Sequence, residues 1–343
     1  MSAAPGFIPS VSVIMPVFNG ARFIGTALAS VLAQTTPPVE VILVDDGSTD
    51  DSADVLRTLV ETNPSAVPIR ILSQENAGQS ASRNNGAAIA RGELIAFLDQ
   101  DDRWYPEHLA VLAEPFASQP ELGWAYSEFD EIDESDYVVT RDFLARHGRV
   151  LPRVTLHELI AQDIMVLPSA SVLRASAFAA VGGFDPQFRG YEDDDLFIRI
   201  FRLGWRSHFE PRALTYFRVH ANSSSGRSLF RESRMRFFEK MRIAIPDDTR
   251  LNRRYVSDLL APRLLYSTVT EYSSALSAHD DDEARSIAES IVTLISVASP
   301  RAKAKLGLMV LANPPLARAI LRAIRLLPRV MRPNLHPALV LRG

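Results

Sequence analysis

Residues 39–50 read VEVILVDDGSTD: five apolar side chains in six positions, then two aspartates, a glycine and hydroxyl residues. A run with no polar face belongs to a strand covered on both sides, the habit of parallel sheets flanked by helices. The acids and glycine that follow mark an abrupt strand end. Outward from this stretch the same grammar repeats. Val11 to Val17 (VSVIMPV) is an earlier apolar run, with helical spacing behind it over residues 21–34. Downstream, the pattern predicts a helix over 52–61, a strand over 69–72, a helix over 79–90 and a strand over 94–98. The expected fold class is therefore α/β: a doubly wound, mostly parallel sheet flanked by helices, with a C-terminal helical extension.

In such sheets ligands bind beyond the carboxyl ends of the strands, and those ends are polar here. The first closes in Pro16-Val17-Phe18-Asn19 and the second in Asp45-Asp46-Gly47-Ser48. The third leads to Asn76-Ala77-Gly78 and Ser82-Arg83-Asn84, the fourth to Asp99-Gln100-Asp101-Asp102. No GxGxxG follows the first strand and no P-loop occurs, which argues against dinucleotide oxidoreductases and P-loop phosphotransferases. Beyond residue 123 the pattern is less regular until a strand at 169–173. The loop Gly182-Gly183-Phe184-Asp185 follows, then a helix opened by Tyr191-Glu192-Asp193-Asp194-Asp195. A strand over 214–219 delivers His220 to a serine-rich turn, and past Gly226 the chain reads as helical, with an acidic turn at 279–283.

The 343 residues are 47% hydrophobic and 23% charged, ordinary for a globular chain. There is no apolar run of membrane-spanning length, no signal peptide pattern and no cysteine, so a cytoplasmic location is expected without disulfides, thiolate metal sites or a thiol nucleophile. The net charge of -4 conceals an asymmetry, because nine basic and no acidic residues follow position 300.

Asp99 and Asp101, two apart on an extended segment, leave the backbone on one face. Two carboxylates so placed suit a hard divalent cation completed by phosphates; in isolation such a pair is more often a solvated turn than a metal site. The ordered set VSVIMPVFN, VILVDDGSTDDS, NAGQSASRNNGA, GELIAFLDQDD with Pro106, VGGFD, YEDDDLFIRI and YFRVHANSSS resembles a family-2 glycosyltransferase of the GT-A fold over residues 10–225. The resemblance implies an inverting, nucleotide-sugar-dependent enzyme with Mn²⁺ or Mg²⁺ as cofactor. It implies that Pro16, Val17, Phe18 and Asn19 line the base pocket, and that Asp46 accepts the ring N–H of uracil or thymine. Arg83 is expected near base and diphosphate, Asp99 on the ribose and Gln100 near the donor sugar. Asp101 and His220 are the expected metal ligands. Asp193 is the expected base that deprotonates the acceptor hydroxyl, with Glu192 contacting the acceptor, while Asp194 and Asp195 suit the helix dipole.

These implications make residues 1–225 the catalytic domain, with a donor half over about 10–102 and an acceptor half over about 103–225. Residues 226–300 form a helical extension and 301–343 a basic amphipathic tail. The expected reaction moves a sugar from a UDP- or dTDP-sugar to a glycan or lipid-linked glycan of surface polysaccharide. Two departures bear on it. Gln100 fills a position where smaller residues are frequent, and the Q-x-x-R-W signature of processive synthases is missing.

In the tail, Arg318, Arg322, Arg325, Arg329 and Arg332 recur at intervals of 4, 3, 4 and 3 opposite an apolar face of Leu316, Ile320, Ile324 and Leu327. Such a stripe over 314–332 suits an anionic membrane surface on the inner face of the cell membrane, or else the acidic body of its own chain. It lacks the aromatic interleaving of a nucleic-acid binder. The rival functional reading is a catalytically silent sugar-nucleotide-binding scaffold, whose expected mark is a broken D-x-D or E-D; both stand intact. A nucleotidyltransferase lacks its glycine-rich N-terminal phosphate loop here. Helices past 226 leave an oligomer open.

Overall fold

The computed structural model describes residues 8–63, 65–149, 151–220 and 227–304. The serine turn at 221–226 and the arginine stripe at 314–332 lie outside the described residues. The chain divides into two compact units, Met1–Leu156 with Met165–Leu229, and His157–Ile164 with Phe230–Gly343.

The first unit is built on one nine-stranded sheet. Its strands are β1 (Val11–Val17), β2 (Glu40–Asp45), β3 (Ile69–Ser73), β4 (Leu94–Phe97), β5 (Arg103–Trp104), β6 (Leu122–Ile132), β7 (Val138–Thr140), β8 (Ser171–Arg174) and β9 (Arg206–Arg218). The order is β3-β2-β1-β4-β8-β6-β9-β5, with β7 on β6. The helices are α1 (Ile24–Leu32), α2 (Ser52–Glu61), α3 (Gln79–Ala88), α4 (His108–Ala113), α5 (Phe143–Arg146), α6 (Leu156–Ala161), which crosses the unit boundary, α7 (Ala175–Ala180) and α8 (Glu192–Arg202).

Strands β3, β2, β1 and β4 are parallel, as their unbroken apolar runs require. Every residue of β1 and β2 is buried. On one face Val13, Met15, Val41 and Leu43 pack with Ile24, Leu28 and Val31 of α1 and Leu56 of α2. The other face receives α3 at close range: a Cβ on Gly86 would stand 2.5 Å from Ile14 Cγ2 and 3.1 Å from Val44 Cγ2. Register then levels the strand ends, with Val17 opposite Asp45 and Asp45 opposite Ser73. The Leu98 amide donates to the Ile14 carbonyl at 3.0 Å, so the acidic turn at 99–102 leaves from the same edge.

The region from 123 to 167, irregular by its sequence pattern, contains the eleven-residue β6. Its polar residues are buried rather than loop-like. Glu128 is 1% exposed and accepts the amides of Leu144 and Ala145 at the start of α5, both at 2.8 Å. Asp130 accepts the Tyr105 hydroxyl at 2.8 Å and the Asp142 amide at 2.9 Å. Strand β9 starts at Arg206, eight residues before the expected strand, and pairs parallel to β6 across three register shifts.

His108 is sealed beneath this edge. Its ring stacks on Trp104, with centroids 4.2 Å apart, and Nδ1–H donates to the Leu214 carbonyl at 3.1 Å. Burial holds its pKa down to about 3. An unfolded histidine titrates near 6.5, so the neutral ring contributes stability above that value, and stability is lost as pH falls from about 6.5 toward 3. From pH 7 to pH 5 the wild type should lose about 2 kcal/mol more than His108→Phe, which keeps the stack but cannot titrate. Urea unfolding at both pH values reads this directly, and equal losses in the two proteins would refute it.

Among its described residues beyond 230, the second unit carries the last part of α9 (Arg227–Ala244), a π-helical turn (Tyr255–Leu260), α10 (Ala261–Ser277) and α11 (Asp281–Val297). The acidic turn caps α11 through Asp280, whose side chain accepts the Glu283 amide at 2.9 Å. Leu264, Leu265, Val269 and Tyr272 of α10 and Ile287, Ile291 and Leu294 of α11 are buried. Residues 157–164 join this unit through Arg263, which is within 2.8 Å of the Asp163 carboxylate and reaches the Leu159 carbonyl. Buried Arg234 grips Glu271 with two nitrogens.

Candidate active site

The level strand ends of the first unit gather the site. Its centre is Arg83, on the first turns of α3 and only 1% exposed. One nitrogen, Nη2, donates to Asp99 Oδ1 at 2.6 Å, and Nη1 donates to Glu192 Oε1 at 3.1 Å. The guanidinium lies 5.2 Å from the Phe184 ring centroid. Burial opposes its charge, but the carboxylates of Asp99 and Glu192 outweigh that and raise its pKa above the ordinary value. One guanidinium fork thus joins the fourth strand end to the start of α8.

Four acids open α8, and their environments separate them. Glu192 is held by Arg83 and by the Gln79 amide. Asp194 is buried, and Asp195, 0% exposed, lies 2.7 Å from Arg199. Asp193 alone of the four is partly exposed, and its Oδ1 accepts the Asp194 amide at 2.8 Å. Tyr191, just before them, takes a left-handed φ of +65°. That conformation is costly for a residue with a Cβ and is commonest where function fixes the backbone.

At the acidic turn, Asp101 Oδ2 and His220 Nε2 stand 2.8 Å apart. Burial first, and then the charge of Asp99, raise the Asp101 carboxyl above its ordinary range against the pull of His220. Asp102 is sealed beneath and is raised well above that range, by burial and then by Asp101 and Asp99. Arg218 ties these elements together: its amide donates to Asp102 Oδ1 at 2.9 Å and its Nε to the Asp101 carbonyl at 2.7 Å. Among the described residues no three acids or histidines converge as a metal cage. A carboxylate and an imidazole at hydrogen-bond distance, beside Asp99 and Asp102, would suit a hard divalent cation such as Mn²⁺ or Mg²⁺ completed by phosphates and water.

The base-pocket residues divide. Pro16 and Val17 are buried within β1, and Val17 belongs to the core. Phe18 is 44% exposed. Asn19, at φ +50°, has Oδ1 accepting the Thr49 amide at 2.8 Å, stitching the first two strand ends together. Asp46 is 3% exposed and accepts from Gln74 Nε2 and the amides of Ala77 and Gly78, each at 2.8 Å. Three of its roughly four lone-pair sites are therefore in use. Gln100, expected beside the donor sugar, instead faces the main chain of Phe18 with both amide atoms.

Sequence reasoning assigned no role to Arg218, Gln79, Asn84 or Arg199. Asn84 exchanges two hydrogen bonds with the Phe184 main chain, at 2.7 and 2.8 Å. Arg199 donates to the Val181 and Gly183 carbonyls at 2.7 and 2.8 Å. Together they hold the 181–184 loop so that Phe184 faces Arg83. The signal available was Arg218 two residues before His220 and Asn84 beside Arg83.

The family model for glycosyl transferase family 2 matches residues 12–181, the segment that holds Asp46, Arg83, Asp99 and Asp101. The chain belongs to the family-2 glycosyltransferases. Among relatives of this glycosyltransferase is an uncharacterized glycosyltransferase of Nostoc sp., 42% identical over 129 residues, or 38% of this chain and 39% of that protein. A chondroitin synthase of Pasteurella multocida is 25% identical over 252 residues, covering 73% of this chain and 24% of the synthase. The chain thus spans well under half the length of either relative. Among solved structures, S. aureus TarS 1–349 in complex with UDP-GlcNAc has a TM-score of 0.62 at 17% identity, covering 86% of this chain and 83% of that one. The mannosyltransferase PcManGT of Pyrobaculum calidifontis, in complex with GDP-Man and Mn²⁺, has a TM-score of 0.55 at 19% identity over 99% of this chain and 88% of that one. These likenesses identify the fold as GT-A.

Proposed function

We propose that this glycosyltransferase moves a sugar, with inversion, from a UDP- or dTDP-sugar to a hydroxyl of a surface-glycan acceptor, free or lipid-linked. The observation that carries the reading is the Arg83 fork. It draws the D-x-D strand end and the α8 acids to one place while leaving Asp193, of those acids, accessible. In the reaction the Asp193 carboxylate takes the proton of the acceptor hydroxyl. The hydroxyl oxygen bonds to the anomeric carbon as its bond to the donor phosphate breaks, and the electron pair leaves on the nucleoside diphosphate. Asp101 and His220 would hold Mn²⁺ or Mg²⁺, which supplies Lewis-acid stabilisation of that leaving charge.

The base assignment rests on Asp46, whose one unused lone-pair site suits a single ring N–H of uracil or thymine. The solved neighbours bind UDP-GlcNAc in one case and GDP-Man in another, so the fold by itself does not choose the base. An arginine stripe at 314–332 would bring the enzyme to an anionic inner membrane face where a lipid-linked acceptor resides. No helix among the described residues is long and apolar enough to cross a membrane.

Thermal unfolding with UDP-, dTDP-, GDP- and CMP-sugars, with and without Mn²⁺, tests the reading. A donor at 100 times its Kd should add about 2.7 kcal/mol of stability. Stabilisation by a uridine or thymidine donor, strengthened by Mn²⁺, is the expected result. Stabilisation by a GDP-sugar alone would overturn the role of Asp46, and stabilisation by none would overturn the donor site.

A further inference from the structure

The middle residue of the D-x-D turn makes a pair of contacts that a ligand-facing side chain would not need. Gln100 Oε1 accepts the Phe18 amide at 2.8 Å, and Gln100 Nε2 donates to the Phe18 carbonyl at 3.1 Å. The side chain therefore mimics a neighbouring strand and satisfies both main-chain groups of a residue 82 positions away. On its other side the loop is tied to the second strand end, where the Asn19 amide donates to Ser48 Oγ at 3.1 Å and the Gly20 amide to Ser52 Oγ at 2.9 Å, and a few residues on the Phe23 ring lies 5.5 Å from that of His220.

Position 20 is fitted to this clip. A Cβ on Gly20 would lie 2.1 Å from Gln100 Oε1 and 2.5 Å from its Cδ. Any larger residue at position 20 must displace the Gln100 amide. Phe18, held by its main chain, presents its ring to solvent beside the turn that carries Asp99 and Asp101.

We propose that Gln100 is a positioning residue for the nucleotide: it clips the Phe18 main chain to the acidic turn, fixing the exposed Phe18 ring as a platform for the donor base. This rests on the donor-site reading above. It differs from that reading's expectation for Gln100 itself, because the side chain acts through Phe18 and not on the sugar. The consequence is coupling: loosening the clip weakens binding of the nucleoside diphosphate whatever sugar it carries.

The test uses the full-length protein, Gln100→Met and Gly20→Ala. The first keeps the bulk of the side chain and removes both hydrogen bonds; the second leaves Gln100 unaltered and crowds it out. Hydrogen exchange at the Phe18 amide and UDP and dTDP affinities by calorimetry with Mn²⁺ are measured for all three proteins. The expected result is faster exchange at Phe18 and about tenfold weaker nucleotide binding in both variants, equal for UDP and UDP-sugars, about the loss of one net hydrogen bond. Unchanged exchange would show that no clip holds the loop. Faster exchange with unaltered nucleotide affinity would make the clip purely structural, and weaker binding of UDP-sugars with unaltered UDP affinity would return Gln100 to the sugar. Each of these three overturns the proposal while leaving the donor site standing. Failure of the wild type to bind UDP or dTDP would overturn the donor-site reading and this inference with it.

Discussion

Replacing Asp193 by asparagine should lower sugar transfer by about a thousandfold, within the range for removal of a general base, or about 4 kcal/mol of barrier. The substitution is nearly isosteric. The amide oxygen of asparagine still accepts the Asp194 amide now held at 2.8 Å, so the start of α8 should survive and the melting temperature should stay within about 1 °C. Donor affinity should change less than twofold, because the change lies in the proton acceptor and not in the donor contacts. Asp195→Asn provides the contrast. Asp195 is fully buried against Arg199, so its loss should show first as instability. Retention of more than a tenth of wild-type turnover by Asp193→Asn would place the base elsewhere, as would an Asp195→Asn protein that is stable and inactive.

Arg83→Met should be the most destabilising single change in the first unit. The arginine is 1% exposed and faces two carboxylates of which Glu192 is nearly as buried. Removing the cation leaves those charges without compensation, which for buried pairs costs about 3–5 kcal/mol. At about 2–4 °C per kcal/mol for a domain of this size, melting should fall by roughly 10 °C. Lysine should rescue only part, since a point charge cannot span both acids as the fork does. The decisive comparison is Arg83→Met with Glu192→Gln: neutralising one stranded carboxylate should recover stability without recovering transfer. Additive losses in that double variant would mean the carboxylates do not share the guanidinium.

The first half of the sheet, β1 to β4, was legible because its strands are mostly apolar and their ends carry acids, glycine and hydroxyl residues. That pattern fixes strand, boundary and parallel pairing together. The second half was harder to read for a physical reason visible in β6. Glu128 and Asp130 look like loop residues, yet each is buried with main-chain donors waiting for it, and a strand whose polar side chains are satisfied by distant elements carries no local sign of being one. The site divides in the same way. The structure brings together Arg83, Asp99 and Glu192, and separately Asp101 and His220, because the motif order encodes which strand ends meet. Which side chains face one another is not encoded there. Pro16 and Val17 sit inside β1, and Gln100 turns to Phe18 through contacts 82 residues apart that spacing alone does not reveal.

The contacts of α3 bear on how such enzymes can be recombined. Gln79 and Arg83 hold Glu192, Ser80 reaches the Phe188 carbonyl and Asn84 clasps Phe184. One ten-residue helix from the parallel half of the sheet is thus matched, side chain by side chain, to residues 184–192. A chimera that exchanges the two halves at the acidic turn would part these partners. Grafts that carry 79–84 and 184–192 from the same parent should yield folded hybrids, and grafts that take them from different parents should not.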